Sequence, residues 1–247
     1  PHGDVSIADA TNKLVQWWNL RYPLIDGQGN FGSPNTDEDP AGAPRYTEVR
    51  LSPVGELMMG PDLDPEVVDF ILTYDDSSKE PSALPSLFPN VICNGQSGIG
   101  VAMSSDMVSH NLAETGRAIK LLAKDTDTSI DKLLKVMPGP DFPTGGFILG
   151  TDGIRDYYTT GKGSIVLQGK VEVVPENAGE AYINITELPY GVQPSRLIKE
   201  VVALCESKKI EGITNINDGH GKGTEPIRIV IAIKRGTDPH QVLNLLY

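Results

Sequence analysis

The sequence predicts an α+β protein of two packed domains, and three observations predict it. The chain has 247 residues, 39% of them hydrophobic, which suits ordered domains of ordinary size rather than a disordered chain. Runs with helical spacing alternate with strand-like runs along its length. Pro81, Pro85 and Pro89 punctuate the middle, placing a domain boundary that leaves residues 1–85 as a first domain with its connector and residues 86–247 as a second.

The elements follow in order. Asp4 can cap a first helix, in which Ile7, Ala10, Leu14, Val15 and Trp18 recur at three- and four-residue spacing while Ser6, Asp9, Lys13 and Gln16 take the other face. A short strand from Tyr22 to Ile25 enters a glycine-rich turn, Asp26 to Ser33, and then an acidic, proline-bounded loop, Pro34 to Pro44. Arg45 to Leu51 alternates in residue type, as an extended segment does, and Ser52-Pro53 and Asp64-Pro65 read as helix starts. In the second half, Asn111 with Glu114 forms a capping-box pattern, and Ser129 can cap a shorter helix ending at Val136. Ile165 to Val174 and Tyr182 to Leu188 read as strands joined by a hairpin turn at Pro175 to Glu180. Leu197 to Leu204 is helical in period, Ile227 to Ile233 is an apolar strand, and Asp238-Pro239 starts a last helix.

Composition narrows the function classes. No apolar run approaches the roughly 18 residues needed to cross a bilayer, and no charged-then-apolar leader opens the chain, so a soluble cytoplasmic protein is expected. Cys93 and Cys205 belong to no metal-spaced cluster and read as buried thiols. The chain opens at Pro1 without methionine and closes at Tyr247 inside an apolar helical pattern, which reads as a piece of something longer. A formal net charge of -12 weighs against a nucleic-acid ligand, although an acidic total can conceal a local basic groove.

Several motifs reduce to ordinary structure. Gly27 to Gly32 matches G-x-G-x-x-G, but Ser33-Pro34-Asn35 follows where a dinucleotide site needs a helix, so a tight hairpin turn is expected. Gly219 to Thr224 lacks phosphate-loop spacing and precedes a strand. The acidic runs at 37–39, 62–64 and 125–127 lack the calcium-loop pattern. His110, His220 and His240 have no partner at metal spacing and read as surface or packing residues.

Six segments in order carry a family likeness: Pro1-His-Gly-Asp4, Leu20 to Ser33, Arg45-Tyr-Thr-Glu-Val-Arg-Leu51, Asn94-Gly-Gln-Ser-Gly-Ile99, Pro138-Gly-Pro-Asp-Phe-Pro-Thr144 and Ile185-Thr-Glu-Leu-Pro-Tyr190. Together they resemble the A subunit of the bacterial type IIA topoisomerases, DNA gyrase and topoisomerase IV. The resemblance implies the C-terminal part of a winged-helix domain followed by an α/β tower domain, truncated at both ends. It matches Tyr46 to the catalytic nucleophile, Arg45 to the arginine at the scissile phosphate and His2 to a histidine beside that site. It makes the first helix, with Lys13, the element lying against DNA, and Ile99 the side chain wedged between base pairs.

These roles are chemically reasonable. A free tyrosine has a pKa near ~10, so about one in a thousand is phenolate at neutral pH, and an attacking phenol needs a base and nearby positive charge. Arg45 offers charge and planar donors suited to phosphate, and His2 a proton acceptor or phosphate contact.

By the same resemblance, Mg²⁺ and ATP are bound by a partner B subunit. The assembly is a homodimer of A subunits within an A2B2 tetramer that acts on DNA, cytoplasmic and chromosome-associated. Gyrase-like activity is favoured over the topoisomerase IV type, and the chain alone is not expected to cleave DNA. Val5 and Asp9 occupy the fluoroquinolone-site positions; the family usually has serine or alanine at the first, and Val5 has no hydroxyl to hold a bridging water. Ala8 stands where the family usually has an aromatic residue. The competing readings are a non-catalytic helix-turn-helix DNA-binding module, which needs a basic recognition face, and a metal-dependent nuclease, which needs clustered carboxylates.

Overall fold

The computed structural model describes residues 3–36, 38–60, 62–175, 180–219 and 227–247. The chain packs into two compact units, one of residues 1–32 with 40–143, the other of 33–39 with 144–247. Mixed α/β composition stands in both. The break at 143/144 differs from the boundary expected at 85/86, because packing bridges that proline-rich stretch. Leu87 N–H donates to Leu57 O at 3.2 Å, and the Phe88 ring meets Tyr22 edge-on at 5.6 Å.

The first unit begins with α1 (Asp4–Val15), whose N-cap is Gly3 rather than Asp4. Asp4 is already helical and its carboxylate accepts the Val5 N–H at 2.9 Å, so it acts on the positive end of the helix instead of capping it. The expected apolar stripe is not buried: α1 has no buried residue, and Ile7 is 61% exposed. Only the C-terminal turns of α1 are covered, where Val15 lies over β1 (Ile25–Gln28).

Strand β1 pairs antiparallel with β2 (Glu48–Leu51), from Ile25 opposite Leu51 to Gln28 opposite Glu48. The strand thus starts where the sequence reading ended it. The glycines do not form a tight hairpin tip; they open the long connection 29–47. Ser52 caps α2 (Pro53–Met58) as expected, its Oγ accepting the Gly55 N–H at 3.0 Å. Asp64-Pro65 makes only a turn, with the Val67 and Val68 N–H groups on Asp64 O. The β-branched pair favours extended chain, and β3 (Phe70–Leu72) follows, paired with β4 (Lys79–Pro81). Next come α3 (Asn90–Asn94) and a hairpin of β5 (Gln96–Gly100) with β6 (Met103–Met107). Then α4 (Leu112–Lys124) is capped by Asn111, whose Oδ1 accepts the Ala113 and Glu114 N–H groups, and α5 (Ile130–Val136) starts after Ser129.

The second unit holds β7 (Phe147–Leu149), α6 (Asp152–Thr160) and β8 (Val166–Gln168), which pairs with β7. The rest is one antiparallel sheet, in the order β11 (Ile213–Asp218), β12 (Ile229–Ile233), β10 (Ala181–Glu187), β9 (Lys170–Pro175). Helices α7 (Pro194–Glu206) and α8 (Pro239–Leu246) contribute Leu197, Ile198, Leu204, Val242, Leu243 and Leu246 to its core. Alternation explains the sheet: Ile183 and Ile185 of β10 lie opposite Ile231 and Ile229 of β12, all four are buried, and the intervening residues face away.

Residues 176–179 of the turn expected at Pro175 to Glu180, residues 220–224 of the loop expected at Gly219 to Thr224, His220 among them, and His2 lie outside the described residues. Cys93 is fully buried and Cys205 only half-buried, so the second thiol departs from expectation. His110 is buried beside Ile92 O at 3.1 Å, and burial pushes its pKa down. Among the described residues no helix is long and apolar enough to cross a membrane.

Candidate functional site

Tyr46 and Arg45 do not lie in the strand that alternation suggested. They occupy a single 3-10 turn, Pro44–Tyr46, just before β2. Pro44 fixes φ at the first position of the turn, Tyr46 N–H donates to Ala43 O at 2.9 Å, and Thr47 N–H closes onto Pro44 O at 3.3 Å. The turn swings both side chains outward. Tyr46 is 71% exposed, and the Arg45 Cζ stands 4.7 Å from the centre of its ring, a cation–π arrangement that keeps positive charge beside the phenol.

The glycine segment backs this turn. Gly29 has φ +121°, and a Cβ there would lie 3.0 Å from Tyr46 O and 3.1 Å from the Thr47 side chain. Glycine is therefore required by its conformation and by the close approach of the tyrosine's own backbone. At Gly27 the limit is space alone, since a Cβ there would meet the Phe31 ring at 2.4 Å and the Val15 side chain at 2.8 Å. Sequence reasoning noticed this spacing but could not assign it to supporting the tyrosine.

The other candidate residues are distributed over separate elements. Val5, Asp9 and Lys13 recur every four residues along one face of α1, and all three are exposed. Ile99, which the resemblance makes a wedge between base pairs, lies in β5 and is 96% exposed. It stands near the tip of the β5–β6 hairpin with Val101 and Met103, also exposed. Arg50 on β2 is partly matched by Asp26 at 3.7 Å, which leaves Arg45 as the cation stacked on the tyrosine. Among the described residues no three His, Cys, Asp or Glu side chains converge to hold a metal ion.

Comparison with known proteins extends the likeness over the whole chain. The family pattern for the A subunit of DNA gyrase/topoisomerase IV matches residues 1–247. The chain belongs to that family. Among its relatives, the DNA gyrase A subunit of Chlamydia muridarum is 44% identical over 249 residues, covering 100% of this chain and 29% of the relative. The DNA gyrase A subunit of Streptococcus pneumoniae is 43% identical over 247 residues, with 100% and 29% covered. The chloroplastic/mitochondrial DNA gyrase A subunit of Arabidopsis thaliana is 44% identical over 250 residues, with 100% and 26% covered. This gyrase/topoisomerase IV A-subunit sequence thus spans under a third of the length of these relatives. The family membership inferred from six ordered motifs holds.

Proposed function

We propose that this chain is the breakage-reunion part of a gyrase-type A subunit, in which Tyr46 takes hold of a broken DNA strand and later returns it. The observation that carries the reading is an exposed phenol, stacked under a guanidinium, in a chain matched from end to end by this family. The phenol loses its proton to a base, a role proposed for His2, and its oxygen attacks phosphorus. The bond from phosphorus to the 3′ oxygen breaks; that oxygen takes up a proton from solvent to become a 3′ hydroxyl, and the phosphate stays on Tyr46 as a 5′ phosphotyrosyl ester. Arg45 donates to the oxygens on which charge accumulates. The ester conserves the energy of the broken bond, so attack by the 3′ hydroxyl reverses the step without an external energy source.

The surrounding residues take supporting roles in this proposal. The first helix with Lys13 lies along the DNA backbone, and Ile99 opens a base step at a cost of a few kcal/mol, offset by the contacts that a bent duplex permits. The chain begins with the end of a winged-helix domain and continues into a tower domain. Mg²⁺ supplies charge stabilisation at the scissile phosphate when bound, and ATP drives strand passage. The resemblance to the family assigns both ligands to a B subunit in an A2B2 assembly, cytoplasmic and on the chromosome.

The test is a cleavage assay in which Mg²⁺ and DNA are supplied to the full-length protein together with its B subunit. Protein-attached 5′ ends support the proposal. Free ends would indicate a nuclease, and site-specific binding without cleavage a helix-turn-helix module.

Val5 bears on drug response. It is 68% exposed in the first turn of α1, one turn from the exposed Asp9. Without a hydroxyl it cannot hold the water that bridges fluoroquinolones to the family, and weak binding is expected. Val5→Ser should lower the inhibitory concentration about two- to tenfold, the range of one hydrogen bond. An unchanged value would defeat this account.

A further inference from the structure

We propose that Asn94 and Asp141 are positioning residues that clamp both feet of the β5–β6 hairpin to Arg21 and Tyr22, holding Ile99 in fixed register with the turn that carries Tyr46. The inference rests on the reading of Ile99 as a wedge.

A wedge transmits force only if its base does not yield, and an isolated two-stranded hairpin is marginally stable at best. Here the tip has little support from protein, with Ile99 96% and Met103 75% exposed. Stiffness must come from the feet. At the first foot Asn94, the last residue of α3, is buried. Its Oδ1 accepts the Tyr22 N–H at 2.7 Å and its Nδ2 donates to Tyr22 O at 2.9 Å and to Asn90 Oδ1 at 2.8 Å. One side chain thus satisfies both backbone groups of Tyr22, as a neighbouring strand would. Gly95 follows at φ +68°, where a Cβ would lie 2.2 Å from Met107 O; the hairpin strands close together directly beyond the clamp.

At the second foot, buried Ser109 is held by Asp141: the Asp141 N–H donates to Ser109 O at 2.8 Å, and Ser109 Oγ donates to Asp141 O at 2.8 Å. The Asp141 carboxylate in turn accepts Arg21 Nε at 3.0 Å and Asn111 Nδ2 at 3.2 Å. Arg21 also stacks on Tyr22 at 4.7 Å, and the Tyr22 phenol accepts the Leu112 N–H at 2.8 Å. Adjacent residues therefore grip opposite feet.

From Tyr22 the path to the tyrosine turn is short. Ser52, which follows β2, donates its Oγ to Pro23 O at 2.8 Å and its N–H to Leu24 O at 3.0 Å; β2 itself begins two residues after Tyr46. Three of the segments that carry the family likeness, 20–33, 94–99 and 138–144, meet in this clamp.

Spatial connection alone does not establish coupling, so a double-mutant cycle is required. DNA bending is followed by energy transfer between dyes on a duplex, and cleavage by covalent attachment, in the assembled enzyme of full-length A and B subunits. Asn94→Ala and Asp141→Asn should each lower the bent fraction and the cleavage yield about two- to thirtyfold when Ile99 is present. In an Ile99→Ala background the same changes should cost less than about twofold, because the clamp then has no wedge to hold. Asp141, whose side chain is one-third exposed, supplies the folded variant if Asn94→Ala does not fold. Equal losses in both backgrounds, or no loss in either, would overturn the clamp alone. If Ile99→Ala bends and cleaves like the native protein, the wedge reading falls and the clamp with it.

Discussion

Tyr46→Phe is expected to abolish protein-linked cleavage while leaving folding and DNA affinity nearly unchanged. The substitution removes one oxygen, and that oxygen is the proposed nucleophile, so covalent attachment should fall below detection rather than slow by a modest factor. The ring stays, so the stacking of Arg45 at 4.7 Å can persist. Because the side chain is 71% exposed, the change in unfolding free energy should lie within about 0.5 kcal/mol. Tyr74 provides the control, being 89% exposed but placed beside Asp75. Asp75 is an anion at neutral pH, as any free aspartate is, and repels phosphate; hydrogen bonds from Thr73 and Ser77 push its pKa lower still, to about 2. Tyr74→Phe should therefore cleave like the native protein. A DNA adduct that persists in Tyr46→Phe would place the nucleophile elsewhere.

Local chemistry made part of the fold legible. Ser52, Asn111 and Asp238 were recognisable as caps, and each accepts the N–H groups that a cap should. Strands β10 and β12 were visible as apolar runs because both are flanked by strands and closed on one face by helices. The β5–β6 hairpin was not, since Gln96-Ser-Gly-Ile-Gly100 and Met103-Ser-Ser-Asp-Met107 are mostly exposed and therefore carry no alternation for a core to impose. For α1 the pattern suggested a buried face that the helix does not have. Its N-terminal turns lie in the open, so no packing partner reads their apolar spacing.

At the site, residue identity was legible and posture was not. Arg45 to Leu51 alternates like a strand, but Pro44 starts a turn that delays β2 until Glu48. That single turn is the difference between a side chain lying along a sheet and one presented to solvent beside a cation. The clamp was invisible for another reason. Tyr22 meets Asn94 across 72 residues and Arg21 meets Asp141 across 120, and no periodicity within a short window reports pairs so far apart. Only the family likeness of the three segments pointed there, without saying that they touch.

The largest stability effect should come from the sheet of the second unit, where Ile183→Ala is expected to cost roughly 2–5 kcal/mol. Ile183 is fully buried, sits on a central strand opposite Val173 and Ile231, and belongs to the cluster that α7 and α8 close. Truncation removes its transfer free energy and leaves a cavity between rigid neighbours, because hydrogen bonds on both sides of β10 limit how far the backbone can collapse. Val202→Ala on α7 is the comparison: that residue is 40% exposed and its loss should cost well under about 1 kcal/mol. The measurement is the urea midpoint of the transition reporting on this unit, converted with a common slope. A cost for Ile183→Ala no greater than that for Val202→Ala would mean that the helices do not close this face. The buried isoleucine ladder could then not be what holds the sheet together.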